Sequence, residues 1–172
     1  MSVKEIYLAG GCFWGVEKYM ANVSGVVETE VGYANGNTAN PTYKDVCAGS
    51  GHAEVCRVIY DTVLAGLPFI LQRYFDVIDP VAVNRQGEDK GIQYRTGVYF
   101  TDKNDVPVIM DALAKLQEDF NEPIAVEVLP LLNYTIAEEE HQDYLGKNPG
   151  GYCHISWDEI EEVKQYKDES IT

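Results

Sequence analysis

Apolar and polar residues alternate along some stretches of the chain and recur at helical spacing along others, and together these rhythms set out an ordered series of strands and helices. Ile6-Tyr7-Leu8-Ala9 reads as a buried strand, Gly10-Gly11 as a tight turn, and Val16-Glu17-Lys18-Tyr19-Met20 as helix. Val26 to Tyr33 alternates as a strand with Val27, Thr29, Val31 and Tyr33 on one face, and Asn35-Gly36-Asn37 breaks it. Residues 34–51 are rich in Gly, Asn and Pro and read as a loop. Ala53 to Tyr60 alternates again, with Glu54, Cys56, Val58 and Tyr60 sharing a face. Leu67, Ile70, Leu71, Tyr74, Phe75 and Ile78 repeat at helical spacing, with Pro68 in the first turn and Asp79-Pro80 as the stop. A strand over Arg95 to Thr101, a helix from about 105 to 120 and a strand over Ala125 to Leu129 follow. Ser156-Trp157-Asp158-Glu159 has the spacing of a capping box and predicts a last helix over 157–167. The first six elements run β-α-β-β-α-β, which predicts an α/β (α+β) fold: a ferredoxin-like two-layer sandwich with a βαββαβ core and C-terminal extensions. Its helices would cover one face of a mainly antiparallel sheet.

No Pro/Gly/Ser-rich linker interrupts the 172 residues, so one catalytic domain is expected over residues 1–168, with a flexible tail at 169–172. A formal charge of −15 argues against binding nucleic acid or anionic membrane, since so acidic a surface is repelled by both. No apolar run reaches the length of a membrane span and no export signal is visible, which predicts a soluble, cytoplasmic monomer. The four cysteines form no Cys-x-x-Cys pair and the three histidines are scattered, so reduced thiols are expected, with neither a disulfide framework nor a metal site.

Chemistry concentrates in four segments, Gly11 to Gly15, Asn40 to Cys47, Gly51 to Glu54 and Gln86 to Arg95, which carry polar groups that core packing does not explain. Cys12 stands between a strand and a helix. At a helix N-terminus, unpaired N–H groups favour the thiolate, the setting of a nucleophile; the competing reading is a small buried filler. Asp89, taken alone, reads as a solvated turn residue.

Gly-Cys-Phe-Trp-Gly at 11–15, Asn-Pro-Thr-Tyr at 40–43, Gly-His-Ala-Glu at 51–54, Asn-Arg-Gln-Gly-Glu-Asp-Lys-Gly-Ile-Gln-Tyr-Arg at 84–95 and His-Gln-Asp-Tyr-Leu-Gly-Lys-Asn-Pro at 141–149 resemble, in order and rough spacing, the A-type peptide methionine sulfoxide reductases. The resemblance covers about Ile6 to Cys153. It implies reduction of the S epimer of methionine sulfoxide, free or within proteins, through a cysteine sulfenic acid and then an intramolecular disulfide. The final reductant would be thioredoxin or another dithiol, with no cofactor. By this resemblance Cys12 is the nucleophile, and Glu54 is the acid at the sulfoxide oxygen, its pKa raised by burial against aromatic rings and by Asp89. Tyr43 and Tyr94 donate to the same oxygen. Phe13 and Trp14 form the slot for the S-methyl group, and Asp89 holds the substrate amide or the tyrosine network. Position in the chain leaves Cys47, Cys56 and Cys153 all open as the thiol that resolves the sulfenic acid; the resemblance favours Cys153. No cysteine follows Cys153 to relay a disulfide outward, so the reductant would attack Cys12–Cys153 directly.

Two other classes fit parts of the pattern. A cysteine hydrolase would pair Cys12 with His52, His141 or His154 as base and would need no second cysteine. A noncatalytic module would dock methionine-rich proteins through Trp14 and the tyrosines.

Overall fold

The computed structural model describes residues 2–171. Strand β1 (Val3–Gly10) leads through Gly11-Cys12 into helix α1 (Phe13–Ala21), and β2 (Val26–Ala34) runs in the same direction as β1 two places along the sheet. A short helix α2 (Tyr43–Cys47) precedes β3 (Ala53–Asp61), which is followed by α3 (Leu67–Phe75). A two-residue hairpin of β4 (Arg85–Gln86) and β5 (Asp89–Lys90) comes before β6 (Thr96–Phe100). Helix α4 (Val106–Gln117), strands β7 (Glu127–Pro130) and β8 (Tyr134–Ile136), and helices α5 (Tyr144–Lys147) and α6 (Trp157–Val163) complete the chain.

The sheet order is β7-β6-β1-β3-β2-β8. Its inner four strands, β6-β1-β3-β2, are all antiparallel neighbours and carry α1 and α3 as crossovers, which is the ferredoxin-like arrangement expected from the element order. Strand β7 extends one edge in parallel with β6, and β8 extends the other in antiparallel pairing with β2.

Period-two alternation decides which residues reach which layer. On β1, Ile6 and Leu8 face the helices while Tyr7 and Ala9 face away; on β3, Cys56, Val58 and Tyr60 join the helix side while Ala53 and Val55 join Tyr7, Ala9 and Tyr99 on the other. The helix-side core takes Val16, Tyr19 and Met20 from α1, Ile70, Leu71 and Tyr74 from α3, and Ile160 and Val163 from α6. Glu54 has the parity of Cys56, so it too points to the helix layer, at the end of β3 that lies under the start of α1.

Several boundaries differ from expectation. Helix α3 stops at Phe75, short of Ile78, because the Asp79 backbone is claimed by a side chain: its N–H donates to Gln86 Oε1 (2.8 Å) and its carbonyl accepts from Gln86 Nε2 (2.9 Å). Helix α6 has the capping box expected at Ser156 and Glu159 but ends at Val163, its last buried residue. Beyond it, Tyr166 lies under the Arg73 guanidinium, and Asp168 accepts from the Gly66 N–H (2.8 Å). Of the tail expected at 169–172, Thr172 lies outside the described residues. Helix α2 and strand β8 fall in segments where no element was expected.

Candidate active site

Cys12 is the N-cap residue of α1, with φ −59° and ψ 124°, and is 8% exposed. Gly11 makes the turn possible. Its φ is +87°, and a Cβ there would come within 2.7 Å of Gln86 Cβ, so β1 can pass into α1 only with glycine at this point. The Phe13 N–H, one of the free donors of the first helical turn, donates to Glu54 Oε1 at 3.1 Å. That bond couples β3 to the nucleophile's turn. The second carboxyl oxygen, Oε2, is shut off from solvent and has no partner.

Burial fixes the protonation state of this pair. The Glu54 carboxyl is pushed up to about 8, first by desolvation and then by the charge of Asp89, against the opposing pull of the Phe13 N–H. This agrees with the environment expected from the sequence. The Cys12 thiol departs from expectation: instead of being lowered by the helix N-terminus it is raised far above the ordinary thiol range, chiefly by desolvation and then by Glu54, with the Trp14 backbone N–H only partly compensating. At neutral pH both groups hold their protons.

Tyr43 and Tyr94 converge on the same spot from α2 and from the turn before β6. Burial raises each phenol, and the Glu54 charge raises each further, with Asp89 and Cys12 also acting on Tyr94. Asp89, on the β4–β5 hairpin, has a buried Oδ2 without a partner, and its carboxylate raises the Tyr152 phenol in the segment before Cys153. Phe13 is buried against Tyr33, with ring centroids 5.7 Å apart. Trp14 is stacked face to face on Tyr144 at 3.8 Å, and its Nε1 donates to His141 Nδ1 at 3.2 Å.

The three candidate resolving thiols stand in different surroundings, and two of them, Cys47 and Cys153, act on site residues, Cys47 on Tyr43 and Tyr94 and Cys153 on Cys12. Cys56 is fully buried in the helix-side core with Val58 and Ile70, away from any opening. Cys47 is exposed at the end of α2, one turn from Tyr43. The Cys153 sulfur lies 3.0 Å from where a Cβ on Gly15 would stand, against the first turn of α1, and its charge acts on Cys12. Gly15 therefore leaves the space that Cys153 uses.

Sequence reasoning missed Glu138 and Tyr152 and gave His141 and His154 only the role of candidate bases in a hydrolase. Glu138 accepts from the Tyr33 hydroxyl (2.8 Å) and the Tyr43 N–H (3.0 Å), tying α2 to β2. His141 sits among Phe13, Trp14 and Tyr43, with its ring centroid 4.5 Å from that of Tyr43. Tyr152 and His154 flank Cys153. None of the four falls in a periodic segment, and for Glu138 and Tyr152 the only signal was closeness in sequence to His141 and Cys153. His52 is committed to the 34–51 loop, where Nδ1 accepts from the Gly36 N–H and Nε2 faces the Thr38 carbonyl at 2.8 Å. Among the described residues, ligand atoms of Glu138, Glu140 and His141 lie within 4.8 Å of one another, but Glu138 and His141 already spend their acceptors on Tyr33, Tyr43 and Trp14. The cluster braces the aromatic wall.

A family profile described as peptide methionine sulfoxide reductase matches residues 4–171. The chain belongs to the peptide methionine sulfoxide reductase family. A relative from Clostridium botulinum (strain Okra / Type B1), named peptide methionine sulfoxide reductase MsrA, is 52% identical over 157 residues, covering 91% of this chain and all of its own. The crystal structure of Mxr1 from Saccharomyces cerevisiae in reduced form is 36% identical and superposes with a TM-score of 0.83 over 90% of this chain and 91% of that one. Mxr1 in complex with Trx2 superposes with a TM-score of 0.58 at 25% identity, over 83% and 84% of the two chains. Family membership sets aside the hydrolase and docking readings. Among the described residues no helix is long and apolar enough to cross a membrane.

Proposed function

We propose that this chain, as a catalytic unit over residues 1–168, reduces the S epimer of methionine sulfoxide to methionine in the cytoplasm, using Cys12 as nucleophile and Glu54 as proton donor. One observation carries the assignment of roles: a buried, protonated carboxyl whose free oxygen has no partner stands beside a buried thiol. Sulfoxide sulfur is a poor electrophile because oxide is a poor leaving group, so attack has to be matched by proton delivery to oxygen. Sulfur of Cys12 bonds to the substrate sulfur as Glu54 protonates the oxygen. Tyr43 and Tyr94 hold that oxygen by hydrogen bonds as charge develops. The protonated oxygen then passes from the substrate sulfur to Cys12 sulfur as the bond between the two sulfurs breaks, the Cys12 proton replaces the one Glu54 gave up, and methionine leaves with Cys12 as a sulfenic acid. Phe13 and Trp14 orient the S-methyl group; one methyl supplies only about 0.8 kcal/mol of burial, so the slot serves alignment more than affinity. Asp89, with Tyr152, positions Tyr94 and the substrate amide.

Cys153 condenses with the sulfenic acid to give a Cys12–Cys153 disulfide and water. The position of its sulfur against Gly15 supports this choice over buried Cys56. Thioredoxin, or another dithiol, then attacks this disulfide directly; the complex of the relative Mxr1 with Trx2 supports that partner class. No prosthetic group is needed by this sequence of steps.

The test is methionine production from separated S and R epimers with dithiothreitol as reductant. Turnover of the S epimer alone, lost in Cys12→Ser, is expected. Turnover of both epimers, or of neither by folded and reduced protein, overturns the reading. Peptide mapping after one turnover without reductant should find Cys12 linked to Cys153.

A further inference from the structure

His154 is the one histidine of the three whose ring nitrogens are uncommitted. His52 uses both of its nitrogens in the 34–51 loop and His141 accepts from Trp14, whereas Nδ1 and Nε2 of His154 are shut off from solvent and have no partner at ordinary hydrogen-bond geometry, the Gly10 backbone alone acting on the ring as a more distant one. Its place is specific. A Cβ on Gly15 would lie 3.5 Å from both Cε1 and Nδ1 of this ring and 3.0 Å from Cys153 Sγ, and a Cβ on Gly11 would lie 3.3 Å from Cε1. The imidazole thus runs along the turn that carries Cys12, with the Cys153 sulfur beside it.

Cys153 needs help to become a nucleophile. Its thiol is half-buried and donates to the Ile155 carbonyl at 2.9 Å, and burial raises its pKa, so at neutral pH it is a thiol and not a thiolate. The groups acting on His154 are Asp89 from the β4–β5 hairpin, Glu159 from α6 and the Gly10 backbone. Desolvation outweighs all three and holds the ring below its ordinary pKa, hence neutral and able to accept a proton.

We propose that His154 is the general base of the second half-reaction, taking the Cys153 thiol proton as that sulfur attacks the Cys12 sulfenic acid. The inference rests on the roles given above to Cys12 and Cys153. The Cys153–Cys12 S–S bond forms and the Cys12 S–O bond breaks. Cys153 sulfur is oxidised, the sulfenic sulfur is reduced, and the proton held by His154 passes to the departing oxygen, which leaves as water.

Rapid mixing of the reduced full chain with S-methionine sulfoxide, without reductant, separates the two steps. Methionine reports the first, and mass analysis of the disulfide and of a dimedone-trapped Cys12 sulfenic acid reports the second. In His154→Gln the rate of disulfide formation relative to methionine formation should fall by about 10²–10⁴, and the dimedone adduct should accumulate. The pH profile should change as well. Wild type should reach a plateau once the imidazole is neutral, whereas the variant should keep rising tenfold per pH unit toward the thiol pKa. A variant that forms the disulfide at the wild-type rate, slows both steps by the same factor, or keeps the wild-type pH profile overturns the proposal. His154→Asn serves as the second variant if the first fails to fold. Absence of methionine from wild type would refute the reductase reading itself, a result distinct from all of these.

Discussion

Glu54→Gln separates the energetic cost of the acid from its catalytic use. In the folded protein the carboxyl titrates near pH 8, against an ordinary value of 4.5. Between those values the folded state keeps a proton that the unfolded chain has released. More protons are bound folded than unfolded, so this group makes stability fall as pH rises through the window. At about 1.4 kcal/mol per pH unit, the shift amounts to about 5 kcal/mol across the window, an upper figure because water entering as the carboxylate forms relieves part of the cost. Glutamine is neutral throughout. Its Oε1 can still accept the Phe13 N–H now bound at 3.1 Å, and its amide nitrogen takes the place of an oxygen that has no partner to lose.

Urea denaturation of both proteins, followed by far-UV circular dichroism from pH 5 to pH 9, should therefore give curves that nearly meet at the acid end, diverge steadily up to about pH 8 and run parallel above it. The variant should be the more stable by several kcal/mol at pH 9, which at about 2–4 °C per kcal/mol is a large shift in melting temperature for a chain of this size. Titrations elsewhere in the molecule cancel in the difference. Over the same range the variant should lose about 10²–10⁴ in the rate of methionine formation. A stability difference independent of pH would refute the reasoning, because it would mean that the buried carboxyl carries no ionisation cost and holds no proton to give.

Three further outcomes follow from the same contacts. Alkylation of Cys12 by iodoacetamide should be slow at neutral pH and, above about pH 8 where Glu54 ionises, faster in Glu54→Gln than in wild type, since the carboxylate that raises the thiol is gone; equal rates above pH 8 would count against it. Cys56→Ser should lower stability by about 1–3 kcal/mol in urea by placing a hydroxyl in an apolar core, while the disulfide still forms in one turnover. Gly11→Ala should cost about 1–2 kcal/mol for the left-handed backbone alone and more from the contact with Gln86, and should slow methionine formation; Gly150→Ala, which meets nothing within 4 Å, is the control and should change neither.

The sheet was legible because alternation is a strong signal wherever one face is buried. On β3 a single parity carries Glu54, Cys56, Val58 and Tyr60 to the helix layer, so the acid and the core could be read from one pattern. The short elements were not legible, because three to five residues hold too few repeats to show a period. Helix α2 is set instead by a local device, Thr42 and Asp45 bonding reciprocally to each other's backbone, and the Thr-x-x-Asp spacing could have suggested it. Strand β8 is placed by its partner: Gly32 leaves the space that the Tyr134 ring fills, which no pattern within 134–136 reveals. The segment from Glu138 to Asp143 is likewise fixed by single long-range bonds, Gln142 to Val31 and the Asp143 N–H to buried Glu17. Such bonds join positions more than 100 residues apart.

The site shows why a motif at a helix N-terminus does not by itself predict a thiolate. A helix end contributes about 0.3–1 kcal/mol, rarely 2, to the charged form of a group beside it, about one pKa unit. Burial can impose a shift of 3–5 units in the opposite direction. At Cys12 burial wins, and the result suits the chemistry. Net reduction of a sulfoxide by two thiols, yielding methionine, a disulfide and water, consumes no protons beyond those of the two thiols, but the first bond needs one at oxygen before either thiol proton has arrived there. Glu54 lends it, held protonated by the same desolvation that keeps Cys12 from reacting with chance electrophiles, and takes back the Cys12 proton when methionine departs. A site that lowered the Cys12 pKa by opening to water would also let Glu54 ionise, and would gain a standing nucleophile at the cost of its acid.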